Sequence, residues 1–202
     1  MLTAAHCLWS RRTARWLPAS SLHFLAGYSR AAYAAHAGIA AYRLAPGIAV
    51  DAQGKPRDPA TDWALLTLAA DPGDRIGILP VAEPGDPALR EALRPGAPLI
   101  QAGYDRTRAH LLSRRAGCRL VALDPGRALL LHGCATPQGS SGAPLLIEQA
   151  GRYLLAALHV GSVSRGGEAL GLAILPPAAS ARQAAAAPAG SGPDPGRRSP
   201  ER

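Results

Sequence analysis

Apolar positions in this chain come in short runs. Leu22 to Tyr28, Gly38 to Leu44, Trp63 to Leu68 and Ile76 to Val81 are branched or apolar stretches closed off by Pro, Gly or Asp, a spacing that predicts strands and turns. A second group follows at Pro98 to Tyr104, His110 to Ser113, Cys118 to Leu123, Ala128 to His132, Ala143 to Ile147, Tyr153 to Val160 and Ala169 to Leu175. Between the groups, Glu83-Pro84-Gly85-Asp86-Pro87 through Arg94-Pro95-Gly96 breaks the rhythm and predicts a connector with one helical turn over Ala88 to Leu93. The pattern predicts an all-β chain of two packed antiparallel β-barrels, residues 1–82 and 97–175, joined by a linker over 83–96. From Pro176 the composition turns to Ala, Pro, Gly, Ser and Arg. Such a segment buries too little apolar surface to offset its chain entropy, so 176–202 is expected to be a disordered tail.

Composition narrows the picture. The 22 Gly and 19 Pro interrupt long helices, and 48% hydrophobic residues with only 4% aromatics predict a core of Ala, Leu, Val and Ile. A length of 202 residues suits one domain or two small barrels sharing an interface. No apolar run is long enough to span a membrane. A net charge of +8 raises the question of a nucleic-acid partner. Lys55 is the only lysine, however, and the arginines are scattered rather than gathered into a stripe with interleaved aromatics. Nucleic-acid binding is therefore not expected, whereas attraction to acidic substrates is compatible with the charge.

Three segments carry candidate chemistry: Leu2-Thr3-Ala4-Ala5-His6-Cys7, Thr61-Asp62-Trp63-Ala64-Leu65-Leu66 and Gly139-Ser140-Ser141-Gly142-Ala143-Pro144. Each alone is ordinary: a structural His, a capping Asp, a flexible Gly/Ser loop. Together, and in this order, they resemble the trypsin-like (chymotrypsin-fold, peptidase family S1) serine proteases, whose triad runs His, Asp, Ser along the chain. The resemblance spans Leu2 to about Val163 and implies a serine endopeptidase with His6, Asp62 and Ser141 as catalytic residues. A Ser hydroxyl attacks well only when a base takes its proton. His6 is expected to be that base and then the acid that protonates the leaving amine, and Asp62 to hold the far ring nitrogen in the right tautomer. The glycines let the backbone turn so that the Gly139 and Ser141 amides face a developing oxyanion, and such a donor is worth about 3 kcal/mol.

Ser140 departs from the pattern of digestive and clotting members, which carry Asp before the nucleophile to receive a newly cut N-terminus. A serine there resembles bacterial members, including the glutamyl-endopeptidase (V8-like) branch. In that branch a Thr or Ser and a His at positions matching Thr136 and His159 bind an acidic side chain at the cleaved bond, which implies an acidic P1 preference here. The alternative reading makes Thr136 a loop residue and His159 a pocket-floor spacer. No cofactor is required by the implied mechanism, and no clustered carboxylates suggest calcium.

Cys118 and Cys134 are equidistant from Gly126, so a hairpin turning there sets them opposite each other within disulfide reach, which implies an oxidising compartment. The competing reading makes Cys118, His132 and Cys134 zinc ligands, but no fourth ligand is evident. His23, His36 and His110 have no partner visible in the sequence. Cys7 is left over, and in relatives its counterpart pairs with a cysteine on earlier strands. Together with the absence of a signal peptide before it, this predicts that Met1 is an internal residue of a longer protein. The resemblance then implies a first barrel incomplete at its N-terminus, and the 202-residue chain alone is expected to fold poorly and cleave weakly or not at all. The expected product is a secreted or periplasmic monomer acting on protein or peptide substrates. The alternatives are an inactive protease-fold binding module or a gene fragment.

Overall fold

A computed structural model describes residues 1–82 and 87–177. The N-terminal half holds β1 (Leu2–Thr3), β2 (Trp9–Ser10), β3 (Arg15–Trp16), β4 (His23–Ala26), β5 (Ala35–Leu44) and β6 (Ala64–Leu68). The C-terminal half holds β7 (Pro98–Gly103), β8 (Ser113–Asp124), β9 (Leu129–His132), β10 (Pro144–Gln149), β11 (Arg152–Arg165) and β12 (Glu168–Ile174). Two short helices, α1 (Gly73–Ile76) and α2 (Pro87–Ala92), lie between them. The all-β expectation holds. The second half is a closed six-stranded barrel in the order β10-β11-β12-β9-β8-β7, and the first is an open antiparallel sheet in the order β1-β6-β5-β4, with β2 and β3 as a separate hairpin.

Small and aliphatic residues do fill the interior. Leu99, Leu120, Leu130, Leu145, Ile147, Ala157 and Ala173 form the barrel core, while Ala5, Leu8, Ile39, Ala64 and Leu66 form that of the open sheet. A third cluster joins the halves: Ala4 packs with Leu158, Val160 and Ile174, with Leu2, Ala60 and Trp63 at its margin. Leu155 to Val160 are all buried, a continuous rather than alternating run that requires cover on both faces of β11. The barrel core supplies one cover and the junction cluster the other.

Three strand expectations are corrected. Ile76 to Val81 is not a strand: Gly77 takes φ 75 and ends α1, and only Val81 pairs, in a parallel bridge to Leu155. Cys118 to Leu123 belongs to one long strand, β8, that begins at Ser113; Gly117, at φ 75, is an extra residue opposite the Leu99–Ile100 step. A glycine in the left-handed region accommodates such a bulge without breaking the strand. His110 to Leu112 lies outside it. The linker residues 83–86 and the tail from 178 onward, where most of the predicted disorder falls, lie outside the described residues.

The register of Cys118 and Cys134 also has a different origin from the one predicted. The hairpin pairs Asp124 with Leu129, so its centre falls past Gly126, and continuing that register would carry Cys118 beyond Cys134. A bulge at Val121, between the Ala122–Leu131 and Leu120–His132 pairs, restores the alignment. The two cysteines are bonded, with their Cα atoms 4.7 Å apart.

Candidate active site

His6 and Asp62 are each presented by a 3-10 turn rather than a strand. His6 lies in the turn Ala5–Leu8 directly after β1, and Asp62 ends the turn Pro59–Thr61, whose start is capped by the Asp58 carboxylate accepting from the Ala60 amide at 3.1 Å. Ala4, Ala5 and Ala64 are fully buried, so nothing larger than a methyl separates these turns from the core behind them. The Asp62 carboxylate, 4% exposed, accepts twice from one residue: Oδ1 from the His6 amide at 3.0 Å and Oδ2 from His6 Nδ1 at 2.6 Å. The double contact fixes both the backbone and the ring plane of His6, and it places a proton on Nδ1 and leaves Nε2 free to act as a base.

Burial of His6 disfavours the imidazolium. The Asp62 carboxylate, and after it the neighbouring Cys7 sulfur, outweigh that and push the pKa up to about 10. The free, exposed Cys7 thiol lies beside the His6 ring and donates to the Ser141 carbonyl at 3.8 Å.

Ser141 follows a tight turn. The Ser140 amide donates to Pro137 O at 3.1 Å, the Ser140 hydroxyl to the same oxygen at 2.7 Å, and the Gly142 amide to His159 O at 2.8 Å. Gly139 sits at φ 97, and a Cβ on it would come within 3.0 Å of the Arg106 nitrogen, so glycine is required for both conformation and space. Gly142, at φ 81, passes the first sheet so closely that a Cβ would lie 2.7 Å from Thr3 Oγ1. The fold therefore brings the Ser141 loop against the segment that carries His6. Among the described residues neither the Gly139 amide nor the Ser141 amide has a hydrogen-bond acceptor, so both are available to a ligand. The Ser141 hydroxyl makes no hydrogen bond to His6; such bonds are often long in an unliganded peptidase and tighten on binding.

Thr136 lies in the loop between β9 and β10 and His159 midway along β11, and no hydrogen bond joins them. Thr136 Oγ1 meets Ser162 Oγ at 2.9 Å, and His159 Nδ1 meets His132 Nε2 at 3.1 Å. The sequence reading did not place Ser162, and it offered His132 only as a zinc ligand. With Cys118 and Cys134 bonded to each other, neither thiolate is free, and among the described residues no cluster of three metal-binding side chains occurs. His132 Nδ1 accepts from the Cys134 amide at 3.2 Å, so its proton must sit on Nε2 and donate to His159 Nδ1. The chain of bonds leaves the proton of His159 on Nε2, which makes no hydrogen bond within the described residues. Both rings are buried and both pKa values fall to about 4: desolvation comes first for each, followed by the partner histidine for His132 and by His6 for His159.

The remaining histidines find partners only in the folded chain. His23 Nδ1 meets His36 Nε2 at 3.0 Å, and His110 Nδ1 meets the Tyr28 hydroxyl at 2.9 Å.

Comparison with known proteins agrees with this architecture. A solved structure of Glu endopeptidase in complex with MPD superposes with a TM-score of 0.66 at 15% identity, covering 91% of this chain and 79% of that one. At that identity the likeness speaks for the fold. No curated protein matches in sequence. The family model for the trypsin-like peptidase domain matches residues 1–156, more than three quarters of the chain. With two β units meeting at a junction that carries a histidine, an aspartate and a serine, the chain belongs to the family of trypsin-like peptidase domains.

Proposed function

We propose that the protein is a serine endopeptidase that cleaves peptide bonds through an acyl-enzyme on Ser141, with His6 as general base and acid and Asp62 as its orienting partner. The observation that carries this is the double contact from Asp62 to the His6 amide and ring, which places a proton on Nδ1 and makes Nε2 the basic nitrogen of the ring. In the proposed reaction, Ser141 Oγ bonds to the scissile carbonyl carbon as its proton passes to His6 Nε2. The tetrahedral oxyanion accepts from the Gly139 and Ser141 amides. His6 then protonates the amine as the C–N bond breaks, and water repeats the sequence on the acyl-enzyme.

The pocket reading is an acidic P1 side chain. The Thr136 and Ser162 hydroxyls bond to each other, which leaves one O–H of the pair to donate outward; with the Nε2–H of a neutral His159 it makes two donors with no fixed negative charge among them. A carboxylate entering there gains charge-assisted hydrogen bonds, whereas an arginine would find no anion to pair with. The Cys118–Cys134 bond supports an oxidising compartment as the site of action. Hydrolysis of a peptide series differing only at P1 tests specificity, with the Ser141→Ala chain as background. Glu or Asp at P1 is expected to exceed Leu and Arg in kcat/KM by at least about tenfold, the scale of one lost charge-assisted contact. Equal rates across the series would remove the acidic assignment and leave the peptidase assignment intact.

A further inference from the structure

We propose that Asp105 is a positioning residue for the oxyanion donor: it holds the turn at 105–108, and that turn holds the peptide plane between Gln138 and Gly139. The inference rests on Ser141 being the nucleophile and the Gly139 amide being an oxyanion donor.

A glycine at φ 97 is free to exchange conformations, so something outside it must select the one in which its N–H faces the site. The peptide unit is planar and trans, with C=O and N–H pointing in opposite directions. Fixing the Gln138 carbonyl therefore fixes the Gly139 N–H. That carbonyl accepts from the Arg106 amide at 2.8 Å, and the Arg106 guanidinium grips the same residue a second time, Nη1 to Gln138 Oε1 at 2.7 Å. Gly139 itself lies against the Asp105–Arg106 peptide, as its 3.0 Å Cβ approach to the Arg106 nitrogen requires.

Asp105 anchors this turn from beneath. Its side chain is 2% exposed; Oδ1 accepts from the Thr107 amide at 3.0 Å and from the Thr107 hydroxyl, and Oδ2 from Arg115 Nη2 on β8 at 2.6 Å. The Arg115 guanidinium, and then Thr107, hold the carboxyl well below the usual carboxylate range, so it stays charged at every working pH. Ser140 supplies no comparable tie, because among the described residues its hydroxyl bonds only to Pro137 O within the same turn. The ion pair between the buried Asp105 carboxylate and the partly exposed Arg115 guanidinium thus takes up the anchoring that the residue before the nucleophile does not perform.

The test uses the full chain carrying Asp105→Asn, Asp105→Ala or Arg115→Lys, beside wild type and Ser141→Ala. For Asp105→Ala, kcat is expected to fall about a hundredfold, the effect of losing one oxyanion donor, with KM within about threefold of wild type. Arg115→Lys, which keeps a cation, should recover most of kcat. Affinity for a peptide aldehyde should fall with kcat, and affinity for the product peptide should not. Hydrogen exchange at the Arg106 amide gives a readout independent of turnover: protected in wild type and Ser141→Ala, fast in Asp105→Ala. A folded Asp105→Ala with wild-type kcat or a protected Arg106 amide would overturn the anchor. Equal loss of aldehyde and product affinity would overturn it too. Wild type that turns over independently of Ser141 would instead overturn the underlying reading, and the exchange result would still judge the anchor.

Discussion

At the scale of single residues, the site depends on one carboxylate set against one ring. Burial alone would lower the His6 pKa; the Asp62 carboxylate reverses the sign, with Cys7 adding to it, to reach about 10. A general base must be neutral, so peptidase activity should rise with pH well above the ordinary histidine range. Asp62→Asn should bring the His6 titration down to or below 6.5 and reduce kcat by about 10⁴-fold, since the ring then loses both its tautomer and the charge that stabilises imidazolium. Cys7→Ala should lower the same pKa by less and leave Ser141 reactive. An NMR titration of the His6 ring in the three chains checks the order; an unchanged pKa in Asp62→Asn would show that the carboxylate is not the cause.

At the scale of elements, bulges and close strand crossings set what each side chain meets. Gly171 on β12 pairs with His132 on β9, and a Cβ at Gly171 would stand 2.2 Å from the His132 ring. Gly171→Ala should therefore displace His132, break its bond to His159 and lower both the melting temperature and the preference for acidic P1 residues. A reduced melting temperature with the preference intact would show that His132 does not orient His159. Cys118→Ser with Cys134→Ser should cost about 2–5 kcal/mol in denaturant unfolding, because the bond closes a loop of 16 residues in the unfolded chain.

This scale also marks what could be read from the chain alone. The meeting of His6 with Asp62 and the approach of the Ser141 loop to the His6 segment were legible because each residue sits in a short segment with its own local signature, and most aliphatic strands were legible from their turn residues. His132, Ser162 and Asp105 were not, because their partners lie 27, 26 and 10 residues away and meet them only through strand register. The Cys118–Cys134 pairing was found from a symmetry about Gly126 that the hairpin does not have; the Val121 bulge supplies the missing residue. Ile76 to Val81 misled because an apolar run carries the same composition whether it pairs or lies along a surface, and Ile78 and Leu79 are in fact exposed.

At the scale of the whole molecule, the buried histidines make stability depend on pH in two windows of opposite sign. His132 and His159 titrate near 4 when folded and near 6.5 when unfolded, so the unfolded chain binds more protons between those values and stability falls as pH drops from 6.5 toward 4. His6 has the raised pKa, so its contribution is complete below 6.5 and is lost as pH rises toward 10. The melting temperature should peak near neutral pH, and His132→Phe should flatten the acid side. An acid side equally steep in that variant would place its origin elsewhere.

The central claim is that the junction of the two β units makes Ser141 a nucleophile. Intact-mass and peptide-level spectrometry after treatment with a fluorophosphonate tests it most directly, on the chain, on Ser141→Ala and on His6→Ala. A single adduct is expected on Ser141, absent in Ser141→Ala and formed at a rate reduced by several orders of magnitude in His6→Ala. A folded chain that forms no adduct, or forms it at the same rate without His6, would contradict it.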